Sequence, residues 1–210
     1  MINTNSWNKI RYTLYQPFYD VIARYFRPLR SKSIHSVKLT PSDKVLIIGA
    51  GTGLDLEFLN PKNEITAIDI TPVMLQKLKQ RSDALKLNTT VHVMDGSKLD
   101  FENESFDVVI LHLILAVIPD PIGCIKETER VLKPGGRFTI MDKFVSPGKK
   151  ISFTRRIVNP FTTFLATTVN RDVDILIDET SLLKTRHEPL ASIFWLIQGE
   201  KSVKSSDKWF

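Results

Sequence analysis

The chain has a single cysteine, Cys124, only four histidines, and no apolar run long enough to cross a membrane. Each shortage excludes something. One thiol forms no internal disulfide and builds no cysteine-based metal site. The longest apolar run, 108–119, contains His112 and falls short of the roughly 20 residues that span a bilayer. The start, Met1-Ile2-Asn3-Thr4-Asn5-Ser6, is polar and lacks a charged lead followed by an apolar core, so no signal peptide is expected. Internal repeats and low-complexity tracts are missing too. A cytoplasmic place and one α/β domain are the expectations from these exclusions and from a length of 210 residues.

Charge is present in ordinary amount but is unevenly placed, with a net +6. Residues 1–40 carry Lys9, Arg11, Arg24, Arg27, Arg30, Lys32 and Lys38 against Asp20 alone, whereas acids outnumber bases over 41–144. Bases lead again from 145 onward. Basic flanks around an acidic centre suit contact with an anionic surface, or a solvated face.

Glycine is scarce, and three of the nine glycines stand together at 49, 51 and 53. They follow Val45-Leu46-Ile47-Ile48, an apolar run that reads as a buried parallel strand. Such a turn lets backbone approach a ligand closely, and Leu54–Leu59 is expected to follow as a short helix. The dinucleotide fingerprint G-x-G-x-x-G is not met, because the third glycine comes one residue early and position 54 is Leu. A pyrophosphate cradle is disfavoured; an NAD-dependent enzyme remains the rival reading.

Asp69 ends a second apolar strand, 64–69, twenty residues after Gly49, the interval at which nucleotide-binding folds place a carboxylate on ribose hydroxyls. Thr71-Pro72 reads as N-cap and first helical residue. Strands are further expected at 90–94, 106–111, 137–141 and 192–197, with helices from Asp120-Pro121 to Leu132 and over 174–183. Lys133-Pro134-Gly135-Gly136 marks a helix stop. Residues 7–29 have apolar side chains at helical spacing, divided at Pro17, beside Arg24, Arg27 and Arg30. A basic, aromatic helical insertion is expected over 149–169. The organisation is therefore a helical cap (1–40), a core (41–144), an insertion with closing strands (145–200) and a tail (201–210).

Together V-L-I-I-G-A-G-T-G at 45–53, A-I-D-I-T-P-V-M-L at 67–75, M-D-G-S at 94–97, F-D-V-V-I at 106–110 and V-L-K-P-G-G-R-F at 131–138 resemble the class I S-adenosylmethionine (SAM)-dependent methyltransferases. The likeness is to their type 11, quinone-biosynthesis-like branch. It implies an α/β, Rossmann-like three-layer sandwich whose seven-stranded sheet is mostly parallel with an antiparallel last strand. It further implies that Gly49, Gly51 and Gly53 line the methionine part of SAM, Asp69 the ribose and Ile70 the adenine, with Ala50, Thr52 and Met74 also in the cofactor-binding set. Asp95, with Gly96 and Ser97, would take the adenine amino group, and Leu111 and His112 would face the reacting methyl. The acid common two residues before the first glycine is absent, since Ile47 stands there. A weaker resemblance, carried by Tyr12, Tyr15, Pro17, Tyr19 and Asp20 and by the basic flanks, is to soluble bacterial phospholipid N-methyltransferases.

A base is needed only if the acceptor arrives protonated. His112 is the first candidate, followed by Tyr15 and Tyr19, then Asp142 and His187. No metal set is evident. The expected activity is methyl transfer to a small or lipid-like acceptor, with a phosphatidylethanolamine-type N-methyltransferase and a non-catalytic SAM-binding protein as alternatives. Contact with an anionic membrane at its inner face is the expected partner surface; no nucleic acid is expected, and the chain would be a monomer or homodimer.

Overall fold

Val45-Leu46-Ile47-Ile48 offers no polar side chain to either face, and all four residues are buried. The computed structural model, which describes residues 4–13, 24–143, 173–191 and 194–203, places them in β1 (Lys44–Ile48) of a seven-stranded sheet. β2 (Glu64–Asp69) and β4 (Phe106–His112) flank β1 in parallel. β3 (Thr89–Val93) pairs outside β2 and β5 (Leu132–Lys143) outside β4, both in parallel. β7 (Phe194–Lys201) lies antiparallel between β5 and β6 (Leu182–Ala191), giving the order β3-β2-β1-β4-β5-β7-β6. β7 alone runs against the others, as expected of the last strand. The order reverses between β1 and β4, where the carboxyl ends of neighbouring strands leave a crevice.

Among the described residues five α-helical stretches accompany the sheet: α1 over residues 5–13, α2 (Arg27–Ser36), α3 (Pro72–Ala84), α4 (Pro121–Val131) and α5 (Val173–Asp178). On one face Ile34 and Val37, at the end of α2, and Leu75 and Leu78 of α3 pack with Val45, Ile47, Val108 and Ile110. On the other, Cys124 and Ile125 of α4 and Leu176 and Ile177 of α5 pack with Leu46, Ile48, Val109 and Leu111. Successive residues of β1 and β4 thus serve opposite faces, so the stretches 45–48 and 108–111 are apolar without a break. α4 begins where Asp120 accepts from the Gly123 backbone N–H, an N-cap that the Asp-Pro pair announced. Thr71 holds the same position before α3, yet its hydroxyl makes no capping bond.

The structure departs from the sequence reading in several places, each for a local reason. Beyond the glycine turn there is one 3-10 turn, Leu56–Phe58, in place of a helix, because Leu54, Asp55 and Leu56 are drawn inward. Lys133–Gly136 falls inside β5, where register against β4 jumps from Phe106↔Leu132 to Val108↔Arg137. The helix expected over 174–183 stops at Asp178, and Leu182 opens β6, a strand with no sequence signal. The closing strand runs on to Lys201. The N-terminal helical pattern continues past Leu29 to Ser36, burying Arg30, Ser33 and Ile34. Tyr15, Pro17, Tyr19 and the insertion at 149–169 lie outside the described residues.

Candidate functional site

A cavity of about 640 Å³, part of it open to solvent, sits at the crevice between β1 and β4. Its floor is the glycine turn. Gly49 and Gly51 have φ of +70° and +55°, the left-handed region that glycine enters at no steric cost. A Cβ on Gly49 would lie 2.7 Å from Ile114 Cδ1, so only glycine lets the 113–118 loop close over the turn. The Gly51 N–H donates to Asp69 Oδ2 at 2.9 Å, and Thr71 N–H donates to Asp69 Oδ1 at 2.8 Å. Burial pushes the Asp69 carboxyl upward, and these backbone donors offset part of the rise. The turn therefore has acidic support, supplied from β2 rather than from position 47.

Asp95 stands on the adjoining wall. Its Oδ1 accepts from the Ser97 N–H and hydroxyl, each at 2.9 Å, and its Oδ2 accepts from Asn5 Nδ2 of α1 at 2.5 Å. Asn5 Oδ1 is buried without a partner. Ile48, Ile70, Met74, Met94 and Ile118 add apolar surface, and Tyr12 of α1 closes one side. Leu113 bends at φ +60°, a conformation a leucine adopts at a cost of about 1–2 kcal/mol, and its N–H is held by the Met141 carbonyl at 2.8 Å.

Of the thirteen cofactor-binding candidates singled out by sequence, Gly49, Gly51, Asp69, Ile70, Met74, Asp95, Gly96 and His112 lie on this cavity wall. Five do not. Ala50 and Leu111 are core residues on opposite faces of the sheet, Leu111 because its side chain points toward α4. Thr52 is buried with its carbonyl held by Arg81 Nη1 at 2.7 Å. Gly53 packs under Leu78 and Leu56 of the α3 side. Ser97 holds Asp95 from behind. Asn5, Leu113, Ile114 and Val117 were not picked out from the sequence, and only the loop's apolar run hinted at the last three.

His112 has neither ring nitrogen free for a substrate. Nδ1 meets Asp55 Oδ1 at 2.7 Å and Nε2 meets Ser33 Oγ at 2.8 Å, all three residues buried. Arg30 Nη1 reaches both Asp55 oxygens at 2.8 Å. Ser33 Oγ lies 2.8 Å from Thr139 Oγ1, to which Gln198 Nε2 donates at 3.0 Å. Burial would raise the Asp55 carboxyl, but the Arg30 charge and then His112 outweigh it and hold the group well below its ordinary value. Asp55 is thus an ionised acceptor of hydrogen bonds from Arg30. Gln198 donates to Thr139, and Thr139, Ser33, His112 and Asp55 follow as one continuous hydrogen-bonded chain whose donor order depends on the His112 tautomer. Ser33, His112 and Asp55 have the spacing of a hydrolytic triad, but a fully buried Ser33 meets no substrate. As a free base His112 is therefore corrected: its ring is a held wall. Asp142 is likewise committed, accepting from the Ala116 and Lys143 N–H groups at 3.0 and 2.7 Å, while burial pushes it up to about 6. His187 sits on β6 against Trp195, away from the cavity wall.

Over residues 46–140 the chain matches the family described as methyltransferase domain. This segment is similar to methyltransferase domains. Beyond that, 103 residues are 32% identical to a phosphatidylethanolamine N-methyltransferase of Cereibacter sphaeroides, covering 48% of this chain and 51% of that one. A demethylmenaquinone methyltransferase of Tropheryma whipplei is 33% identical over 124 residues, 59% of this chain and 48% of the relative. This chain spans about half the length of the curated relatives it matches. In structure it is similar to the [4+2]-cyclase SpnF, with a TM-score of 0.81 at 15% identity over 95% of this chain and 97% of that one. The domain's cavity fits SAM in its chemistry. Asp69 offers a carboxylate at the end of β2 for ribose hydroxyls, and Asp95 with the unpartnered Asn5 Oδ1 offers acceptors for an amino group. Gly49 leaves room for close approach of the methionine part.

Proposed function

We propose that this chain transfers a methyl group from SAM to a small or lipid-like acceptor. The observation that carries the reading is the convergence of Asp69, Asp95 and the positive-φ glycines Gly49 and Gly51 on one cavity at the sheet's switch point. When bound, SAM supplies a sulfonium-activated methyl: the acceptor–carbon bond forms as the sulfur–carbon bond breaks, leaving S-adenosylhomocysteine. What the chain contributes is binding and alignment, worth roughly 7 to 11 kcal/mol of barrier at the ideal limit. Asp69 and Asp95 fix the nucleoside, the glycine turn fixes the sulfur end, and His112, Leu113 and Ile114 wall the space into which the acceptor enters. With both nitrogens engaged, His112 shapes that wall and leaves proton removal to other groups or to solvent.

Two finer readings have specific support. A phospholipid acceptor is favoured by the Cereibacter relative's name and by exposed apolar side chains on the N-terminal elements, Trp7, Ile10 and Tyr25. No helix among the described residues is long and apolar enough to cross a membrane. A non-catalytic SAM-binding role is the alternative from another class, supported by the engagement of both His112 ring nitrogens within the fold. The deciding experiment supplies methyl-labelled SAM to the protein in a cell extract and separates lipid from aqueous material. Label in lipid supports the phospholipid reading, and label in the aqueous phase supports a soluble acceptor. No label in either phase, with S-adenosylhomocysteine still bound, would sink the methyltransferase proposal in favour of a binding role.

A further inference from the structure

Asn5 lies on α1, outside the residues that match the methyltransferase domain, yet its side chain enters the cavity beside Asp95. Asp95 as a carboxylate can only accept, so the amide nitrogen of Asn5 faces it and the amide oxygen is turned away. That oxygen is sealed from solvent and has no hydrogen-bond partner. A buried acceptor left unmade costs about 1–3 kcal/mol, so a donor arriving there is rewarded. On Asp95, Oδ1 already serves the Ser97 N–H and hydroxyl, whereas Oδ2 serves Asn5 alone and keeps one lone pair. Asn5 and Asp95 thus each keep unused acceptor capacity where they meet at the cavity wall.

We propose that Asn5 reads the purine of the cofactor, its amide oxygen and Asp95 Oδ2 together receiving the two hydrogens of a 6-amino group. The inference rests on the SAM reading above. The chemistry is selective, because a 6-oxopurine would present an acceptor to two acceptors and gain neither bond. Asn5 Nδ2 meanwhile keeps Asp95 oriented, so α1 takes part in nucleoside recognition besides covering the cavity.

Calorimetric titration of the wild type, Asn5→Ala and Asn5→Leu with S-adenosylhomocysteine and with S-inosylhomocysteine tests this without turnover. The wild type is expected to prefer the adenosyl ligand. Both variants should lose about five- to tenfold in affinity for it, the value of one such bond, while the inosyl ligand binds as before. The discrimination between the two ligands then shrinks by the same factor. Unchanged or tighter binding of S-adenosylhomocysteine by the variants overturns the inference, since Asn5 would then be a bystander or a plug that the nucleoside must displace. Failure of the wild type to bind S-adenosylhomocysteine at all is a separate result that overturns the SAM reading and takes this inference with it. Asn5 is only partly buried, and equal urea midpoints for wild type and variants check that folding is not what changed.

Discussion

At the scale of single residues, the most consequential group is Asp55, which holds Arg30 and His112 together in the interior. Removing one partner of a buried pair leaves the other charge uncompensated, at a cost of about 3–5 kcal/mol. Arg30→Met and Asp55→Asn should each lower stability by about that much at pH 7, measured by urea unfolding. The pH dependence has a definite sign. The folded Asp55 carboxyl is held below the unfolded value of 3.8, so its stabilisation is complete above that pH and is lost as pH falls through the folded value. The gap between wild type and Asp55→Asn should therefore be widest near neutrality and close in acid; a gap that stays constant would show that Asp55 is not ionised in the fold. Asp142 has the opposite sign. Its carboxyl, raised to about 6, costs stability as pH climbs from 3.8 to that value, a decline that Asp142→Asn should lack. Asp69 was legible in the sequence because it ends an apolar strand at a recognisable interval after Gly49, and Asp95 through the family resemblance carried by M-D-G-S at 94–97. Asp55 was not, because its meaning depends on Arg30 and His112, which only the folded chain brings to it. For the same reason His112 was visible as a residue of the site and not as a committed one.

At the scale of elements, function depends on how closely the glycine turn and the 113–118 loop approach each other. Gly49→Ala meets two obstacles, a φ of +70° and an ideal Cβ 2.7 Å from Ile114 Cδ1. Affinity for S-adenosylhomocysteine should fall at least tenfold, as read by calorimetry, because the loop must retreat from the cavity wall. Adding Ile114→Ala relieves the contact but leaves the backbone strain of about 1–2 kcal/mol, so the double variant should recover only part of the loss. Full recovery would mean that crowding alone matters. The strands that build this turn were readable because 45–48 of β1 and 108–111 of β4 are buried on both sides and are apolar without a break. β6 was unreadable for the converse reason. It is an edge strand buried only at Leu182, with the rest of its residues exposed or half-buried, so no alternation survives in its sequence. α2 ran further than its apolar stripe suggested because Arg30 and Ser33, polar residues that break the pattern, are buried by pairing with Asp55 and His112.

At the scale of the whole molecule, the basic N-terminal flank is smaller than its composition implies. Arg30 is spent on Asp55, Arg27 pairs with Glu57, and Lys32 pairs with Glu188. Membrane attraction would then fall mainly to Lys9, Arg24 and Lys38, each worth about 1 kcal/mol near an anionic surface, together with burial of exposed apolar side chains. Those side chains are Trp7 at 48% exposure and Ile10 at 55%, three residues apart on α1, and Tyr25 at 84%. Sedimentation with vesicles of anionic lipid separates the two contributions. Raising the salt from 50 to 300 mM should weaken binding by screening the lysines and Arg24. The triple variant Trp7→Ala/Ile10→Ala/Tyr25→Ala should bind weakly even at 50 mM, because it has lost the surface that enters the lipid. Arg27→Gln should bind nearly as the wild type does, since the charge it removes is already answered by Glu57. If instead Arg27→Gln is the damaging change and the aromatic variant is neutral, the flank acts as a plain cationic patch and the apolar side chains belong to contacts made elsewhere. If the wild type fails to sediment at low salt, the phospholipid reading loses its physical route to the substrate, and the acceptor is a soluble one.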